Sequence, residues 1–278
     1  MIERHTFRAM GTDVEAFVDG DPAAFSLVED EFQRLEQIMS RFRPDSELSR
    51  LNRERTLDAS PDLLRVVELA LAARERTRGR FDPTVHDALV AAGYDRSFDA
   101  VEPNAPGAAV HTPPCGGGVT VHDGVIALDD GVNLDLGGIG KGYAAERAAE
   151  LLATAGPCLV NAGGDIALRG DATWPVGVET ADGVVTLALE RGGLATSGRD
   201  RRRWKRGGEE RHHLVDPRTG LPSDSDLLRV TVVADDAVEA EVLAKALFLA
   251  GSDEAARTDA PAVLVTECGE TILTGALR

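Results

Sequence analysis

Apolar residues recur along this chain at two different periods, and the two are interleaved without a fixed order. Phe25, Val28, Phe32, Leu35 and Met39 are spaced by three and four, which puts them on one face of a helix. Asp21 is placed to cap that helix and Pro22 to occupy its first turn. Ser60-Pro61 opens a second helix with Leu64, Val67 and Leu71 as the buried stripe and Gly79 as its stop. Asp82 as cap with Pro83 behind it predicts a third helix running to Gly93-Tyr94. Further helices are expected from Tyr143 to about Gly156, and from Val238 to Ala250 with Gly251 as terminator. Residues 5–18 read as strand material broken by Met10-Gly11-Thr12, 159–168 as two strand segments around a glycine turn, 228–234 as a buried-type strand, and 262–266 and 271–274 as the last strands. Residues 175–180 and 184–189 read as a hairpin about Asp182-Gly183. Helices and strands mix without βαβ alternation, which predicts an α+β fold with largely antiparallel sheet.

Four stretches carry no clean period. Ser40 to Asn52 is polar and rich in turn residues, a surface loop with one helical turn or a site-bearing loop. Residues 97–118 hold Pro103, Pro106, Pro113 and Pro114 with Gly107 and Gly116 to Gly118, and form the candidate subdomain boundary. Arg199 to Arg206 is a basic run interrupted by Asp200 and Trp204, either an anion or nucleic-acid contact or a solvated hairpin tip. His212-His213 sits before the turn residues Asp216 to Gly220. Adjacent residues on a strand point to opposite faces, so at most one of these histidines faces a given site.

Composition narrows the function classes. The 278 residues are 43% hydrophobic and 28% charged, ordinary for a globular chain with a sizeable core. A net charge of −17 argues against a protein that coats nucleic acid or anionic membrane, and it repels anionic ligands unless donors are concentrated locally. Cys115, Cys158 and Cys268 are too far apart for a zinc set and odd in number for a disulfide framework, which fits a reducing compartment. No apolar run reaches membrane-spanning length and the first residues lack the apolar core of a signal peptide, so the expected location is cytoplasmic.

The most informative stretch runs from Val132 to Tyr143. Val132, Leu134 and Leu136 alternate like a strand, four glycines follow at 137, 138, 140 and 142, and an alanine-rich helix comes next. Glycines leading into a helix start expose backbone N–H groups, a common means of holding phosphate. Asp135 and Lys141 add one charge of each sign. The spacing fits neither the P-loop, which needs glycine at 135 and Ser or Thr at 142, nor the dinucleotide fingerprint. Two readings stand on residues alone: the floor of a phosphate-bearing ligand site, or glycines that merely let a helix and a strand pack closely.

Seven motifs in order resemble one family, the FAD:protein FMN transferases, or ApbE-type flavin transferases. They are Met10-Gly11-Thr12, Ser46 to Asn52, Phe81 to Val85, Leu134 to Tyr143, Asn161 to Asp165, Ala195 to Gly198, and His213 to Gly220. The resemblance implies one T-fold-like α+β domain over 1–278 with the ligand in a cleft between two subdomains. It also implies an enzyme that takes FAD with Mg²⁺, moves the FMN moiety to a Thr or Ser hydroxyl of a partner protein and releases AMP. Nucleic acid and membrane insertion have no part in it. By position, FAD contacts fall on Met10, Phe42, Ala92, Gly93, Tyr94, Asp135, Lys141 and Val215. The general base falls on His213 and a metal-binding carbonyl on Gly138.

One departure stands out. The resemblance implies an Asp and, four residues later, a Thr as metal ligands on the late helix, and here those positions are Glu241 and Lys245. A protonated lysine has no lone pair to give a metal, and Glu followed by Lys four residues on is the favourable order for a helical salt bridge. Three outcomes are open: Mg²⁺ held by Glu241 and the Gly138 carbonyl with waters, Lys245 standing in for the cation, or flavin bound without transfer. Beside transfer, the alternatives are therefore an FAD-binding protein without turnover and a metal-dependent FAD pyrophosphatase.

Overall fold

Asp21 accepts a hydrogen bond from the Ala23 N–H at 2.9 Å and starts a short turn, Pro22–Ala24, that feeds helix α1, Phe25–Met39. Val28, Phe32 and Leu35 on its apolar stripe are fully buried, as their spacing requires. This computed structural model describes residues 1–107 and 115–278, so Pro113 and Pro114 of the irregular connection lie outside the described residues. The chain divides into two compact units. The first comprises 1–35, 139–198 and 225–278, and the second 36–138 and 199–224. The described residues of the 97–118 stretch belong to the second unit.

The first unit is built on an eight-stranded sheet. In spatial order its strands are Ile2–Ala9, Thr12–Asp19, Cys158–Ala162, Asp165–Arg169, Gly192–Gly198, Leu227–Ala234, Ala262–Thr266 and Thr271–Thr274, each antiparallel to its neighbour. Leu159, Ile166, Leu168, Leu194 and Val263 form an apolar cluster with Trp174, Val176 and Val178 of the expected hairpin, Trp174–Thr180 with Gly183–Leu189. Alternate positions on the same strands, Val160, Ala167 and Ala195, are fully buried and face the other way. Their small size leaves room for two helices packed on the sheet, Gly140–Leu152 (α5 below) and Ala237–Ala250 (α6 below). The α+β, antiparallel expectation holds, and the sheet is open rather than closed into a barrel.

The second unit holds helices α2 (Glu47–Glu54), α3 (Pro61–Arg76) and α4 (His86–Ala91) with short sheets. The polar 40–52 segment is more ordered than one turn. Ser46 caps α2 by accepting the Ser49 N–H at 3.0 Å, and Leu48 and Leu51 are fully buried. On α3 the buried stripe is Leu63, Val66, Val67, Ala70 and Ala73, so Leu64 and Leu71 stand on its flank. Asp82 does not cap a helix. Its Oδ1 accepts the N–H and the hydroxyl of Thr84 at 2.8 and 2.7 Å, a local turn that delays α4 to His86. The second half of the basic run is a strand rather than a tip: Arg203–Arg206 pairs with Glu209–His212, and Gly207-Gly208 makes the turn.

The predicted strand at 132–136 belongs to no ladder. A side chain supplies its pairing instead. The Leu134 N–H donates to Asn52 Oδ1 at 2.8 Å, and Asn52 Nδ2 donates to the Leu134 carbonyl at 2.9 Å. The Asp135 N–H donates to the Pro83 carbonyl at 2.8 Å. Arg55, at left-handed φ of 68° just after α2, donates to the carbonyls of Asp129 and Val132 and to Asn133 Oδ1. Polar side chains thus satisfy a backbone that a neighbouring strand would otherwise serve.

Candidate functional site

In the first unit the glycine stretch opens α5 at Gly140 with no side-chain cap. Gly142 is needed there for close approach, since a Cβ on it would stand 2.6 Å from the Ala237 carbonyl oxygen of α6. That proximity lets the Gly142 N–H donate to Glu241 Oε2 at 2.9 Å. The Lys141 ammonium pairs with Asp165 and lies 3.3 Å from Glu241 Oε1, and the Lys245 ammonium lies 3.1 Å from the same oxygen. Burial alone would raise the Glu241 pKa, but Lys141, Lys245 and the Gly142 N–H outweigh it and hold the carboxyl below its ordinary value. The result is a four-residue cluster with two negative and two positive charges.

The second unit gathers a different set around Arg41. Its guanidinium pairs with Asp135 at 2.5 Å, donates to the Tyr94 carbonyl at 2.6 Å, and stacks on the rings of Phe42 and Tyr94 at 4.2 and 4.8 Å. The Arg41 and Asp135 side chains are only 5% and 8% exposed, so the pair sits in a medium where charge interactions are strong. Asp135 also accepts the Gly137 N–H at 2.8 Å, which shapes the start of the glycine turn. Tyr94 packs with Ala88, Leu89, Ala92, Trp204 and Val215, and Trp204 Nε1 donates to the Ala92 carbonyl at 2.9 Å. Gly93, at φ of 101°, has a conformation that favours glycine, and a Cβ there would stand 3.1 Å from Trp204 Nε1. Burial pushes the Tyr94 phenol above its ordinary pKa, so it stays neutral.

The strand ends at His212, so only the first of the paired histidines lies on it. His212 is buried, with Nε2–H donating to the Ser223 carbonyl at 3.0 Å and Nδ1 accepting the Leu214 N–H at 3.3 Å. Both bonds suit the neutral ring, and burial lowers its pKa. Both ring nitrogens of His212 are thus engaged by backbone, and its neighbour His213 is half-buried.

With this geometry in view, comparison with known proteins decides the family. The model of the ApbE family matches residues 10–262. The chain belongs to the ApbE family. An ApbE protein from Thermotoga maritima superposes with a TM-score of 0.87 at 26% identity, covering 99% of this chain and 97% of that one. The flavin transferase ApbE of Vibrio cholerae shares the fold, with a TM-score of 0.79 at 22% identity over 100% and 98% of the two chains. A FAD:protein FMN transferase from Rhodobacter capsulatus is 29% identical over 98% of this chain and 57% of its own length. One from Treponema pallidum is 29% identical over 80% and 70%, and one from Klebsiella pneumoniae 32% over 55% and 52%. The chain thus spans about half to seven-tenths of the length of these curated relatives.

Of the positions that the ApbE resemblance marks, Phe42, Ala92, Gly93, Tyr94, Asp135 and Val215 come together in the second unit. Lys141 and Glu241 come together in the first. Met10 occupies the two-residue turn between the first strands, where Met10 and Gly11 have φ of 51° and 67°. A left-handed methionine is unusual and marks a turn held by its surroundings. Gly138 lies in the turn before α5 and His213 just after the strand Glu209–His212. Three partners escaped sequence reasoning: Arg41, Trp204 and Asp165. A tryptophan inside a basic run and an arginine beside an aromatic residue were the available signals.

The divalent cation expected on Glu241 does not fit this set. Mg²⁺ takes oxygen ligands, about six of them, whereas Glu241 faces two ammonium groups and an amide. Among the described residues, no group of three or more His, Cys, Asp and Glu is arranged to hold a metal. No helix among them is long and apolar enough to cross a membrane.

Proposed function

We propose that this chain binds FAD and transfers its FMN moiety to a Thr or Ser hydroxyl exposed on a partner protein, releasing AMP, with residues 1–278 serving as one flavin-transferase domain. The observation that carries the reading is the ApbE family match over residues 10–262. The names of the relatives from Rhodobacter capsulatus and Treponema pallidum, each a FAD:protein FMN transferase, support it.

In this reading the acceptor oxygen attacks the phosphorus of the FMN half. The bond from that phosphorus to the oxygen bridging to the AMP phosphate breaks, and AMP leaves with the electron pair. His213 receives the hydroxyl proton, a task suited to a side chain whose ordinary pKa is near neutrality. Phosphoryl transfer of this kind rests mostly on positioning and charge neutralisation. Lys141 supplies positive charge to the diphosphate, the exposed Phe42 offers a face for a flat ring, and Met10, Ala92, Gly93, Tyr94, Asp135 and Val215 complete the FAD contacts. Mg²⁺ is left out of the steps because Glu241 is already engaged by Lys141 and Lys245.

The test incubates FAD with the protein, with and without a peptide bearing an acceptor Thr, and follows AMP and flavin-labelled peptide. Transfer predicts AMP and labelled peptide in equal amounts, only when peptide is present. His213→Ala is expected to keep FAD binding and lose the label. AMP without peptide identifies a pyrophosphatase, and FAD binding with no AMP identifies a flavin-binding protein; either result overturns the transferase reading.

A further inference from the structure

The cluster where the first turn of α5 meets α6 sets two lysines against two more deeply buried carboxylates. The side chains of Asp165 and Glu241 are 2% and 1% exposed, while those of Lys141 and Lys245 keep 16% and 17%. The two lysine side chains therefore keep more contact with water than the carboxylates they pair with. Glu241 Oε1 already receives both ammonium groups, at 3.3 and 3.1 Å, its Oε2 receives the Gly142 N–H, and Asp165 is taken by Lys141. A divalent ion on Glu241 would sit at contact distance from two positive charges that cannot ligate it. In a chain of net charge −17, these two lysines balance the carboxylates of the cluster locally, so an anion there meets less repulsion than the chain's overall charge would give.

We propose that Lys141 and Lys245, held by Asp165 and Glu241, form a resident cation that receives the diphosphate of FAD, so that this chain binds its substrate without a divalent metal. The inference rests on the FAD reading for the identity of the anion. The geometry supports it independently: Lys245 is presented by α6, and Lys141 by the first turn of α5, where backbone N–H groups also favour an anion. Lysine acts on phosphate as a compact point charge with rotatable donors, so two of them can follow a diphosphate without fixed coordination geometry.

Two measurements test this. The first titrates Mn²⁺ into the protein, alone and with FAD, and reads free Mn²⁺ by electron paramagnetic resonance. The expected result is a free-ion signal undiminished by wild-type protein. Mn²⁺ uptake that Glu241→Gln abolishes overturns the inference. The second measures FAD affinity by flavin fluorescence in EDTA and in Mg²⁺. Wild type is expected to bind equally in both, Lys245→Met about tenfold more weakly, as expected on losing a charge-assisted contact, and Lys245→Arg close to wild type. Circular dichroism checks that the variants are folded. A Lys245→Met protein that is folded and binds FAD like wild type overturns the inference, as does wild-type binding that collapses in EDTA. Wild-type protein that binds no FAD in either buffer instead removes the proposed function, and the assigned anion with it.

Discussion

Glu146 and Glu241 serve each other's helices. Glu146, on α5, accepts the N–H of Ala237, the first residue of α6, at 2.6 Å, and Glu241, on α6, accepts the N–H of Gly142 in the first turn of α5 at 2.9 Å. Each carboxylate thus satisfies a donor that a helix start leaves open and lies where the helix dipole favours negative charge. Each also has a cationic partner, Arg169 for Glu146 and the two lysines for Glu241. The reciprocal arrangement fixes α5 against α6, and so fixes the base of the lysine pair.

Truncating Glu146 removes an anchor without touching that pair. Glu146→Ala leaves the Ala237 N–H without its acceptor and takes the carboxylate from the partly exposed Arg169, which keeps the Leu168 carbonyl, at the low end of the roughly 3–5 kcal/mol that breaking a buried pair costs. Glu146→Gln keeps an oxygen for the N–H and should lose about 1–2 kcal/mol, the charged part of the contact. Burial also raises the Glu146 pKa, so the neutral isostere replaces a charge the fold tolerates only because of its partners. Urea unfolding midpoints check both; equal losses for Ala and Gln would contradict this account.

Local patterns carried the parts of the fold whose causes are local. The stripe of α1 and the hairpin follow from spacing and turn chemistry; the stripe stands as read, and the hairpin forms with its turn one residue earlier, at Ala181-Asp182, because Gly183 pairs with Thr180. The 132–136 segment shows the opposite case. Its alternation is real, with Val132, Leu134 and Leu136 buried, but the partner of Leu134 is a side chain 82 positions away, which no periodicity reports. The site divides in the same way. Glu241 and Lys245 are four apart on one helix, so their pairing was legible. Lys141 reaches Asp165 across 24 positions and Glu241 across 100, and that assembly exists only in the folded chain.

The cysteines should differ sharply in reactivity. Burial, with the charges of Asp82, Asp216 and Asp87, pushes the Cys115 thiol up to about 12, and burial pushes Cys158 up to about 11. Thiolate is the reactive form, so both are inert at neutral pH. Cys268 is exposed. A thiol-reactive chromophore should label one cysteine per native chain and all three after denaturation. Rapid labelling of two or more in the native protein would show that the cores around Cys115 or Cys158 are more open than described.

His212 should make stability fall in mild acid. Burial depresses its folded pKa below the ordinary 6.5, so between those two values the unfolded chain holds a proton that the folded one refuses. Unfolding then takes up protons, and stability rises with pH across that window. The contribution is complete above about 6.5 and is lost as pH falls toward the folded pKa. His212→Gln cannot titrate, so its stability should lack this slope although it is lower throughout. Melting temperatures of both proteins from pH 5 to 8 check it. Parallel curves would mean that another group drives the acid response.

The pair Arg41–Asp135 is the strongest prediction about the second unit, because one guanidinium links three marked positions. It binds Asp135, holds the Tyr94 carbonyl and lies over the ring of Phe42. Removing either charge strands the other in a buried setting, at about 3–5 kcal/mol. Arg41→Lys keeps the charge but loses the planar fork and the stacking, so it should recover only part of that loss. Arg41→Met with Asp135→Leu removes both charges and should be far less costly than the two single losses added together. The double-mutant cycle would then report a coupling of about 1–3 kcal/mol. FAD affinity separates stability from recognition. If Asp135 contacts the ligand, the double variant regains stability without regaining affinity. If Asp135 only fixes Arg41 and the two rings, Asp135→Glu should restore both together.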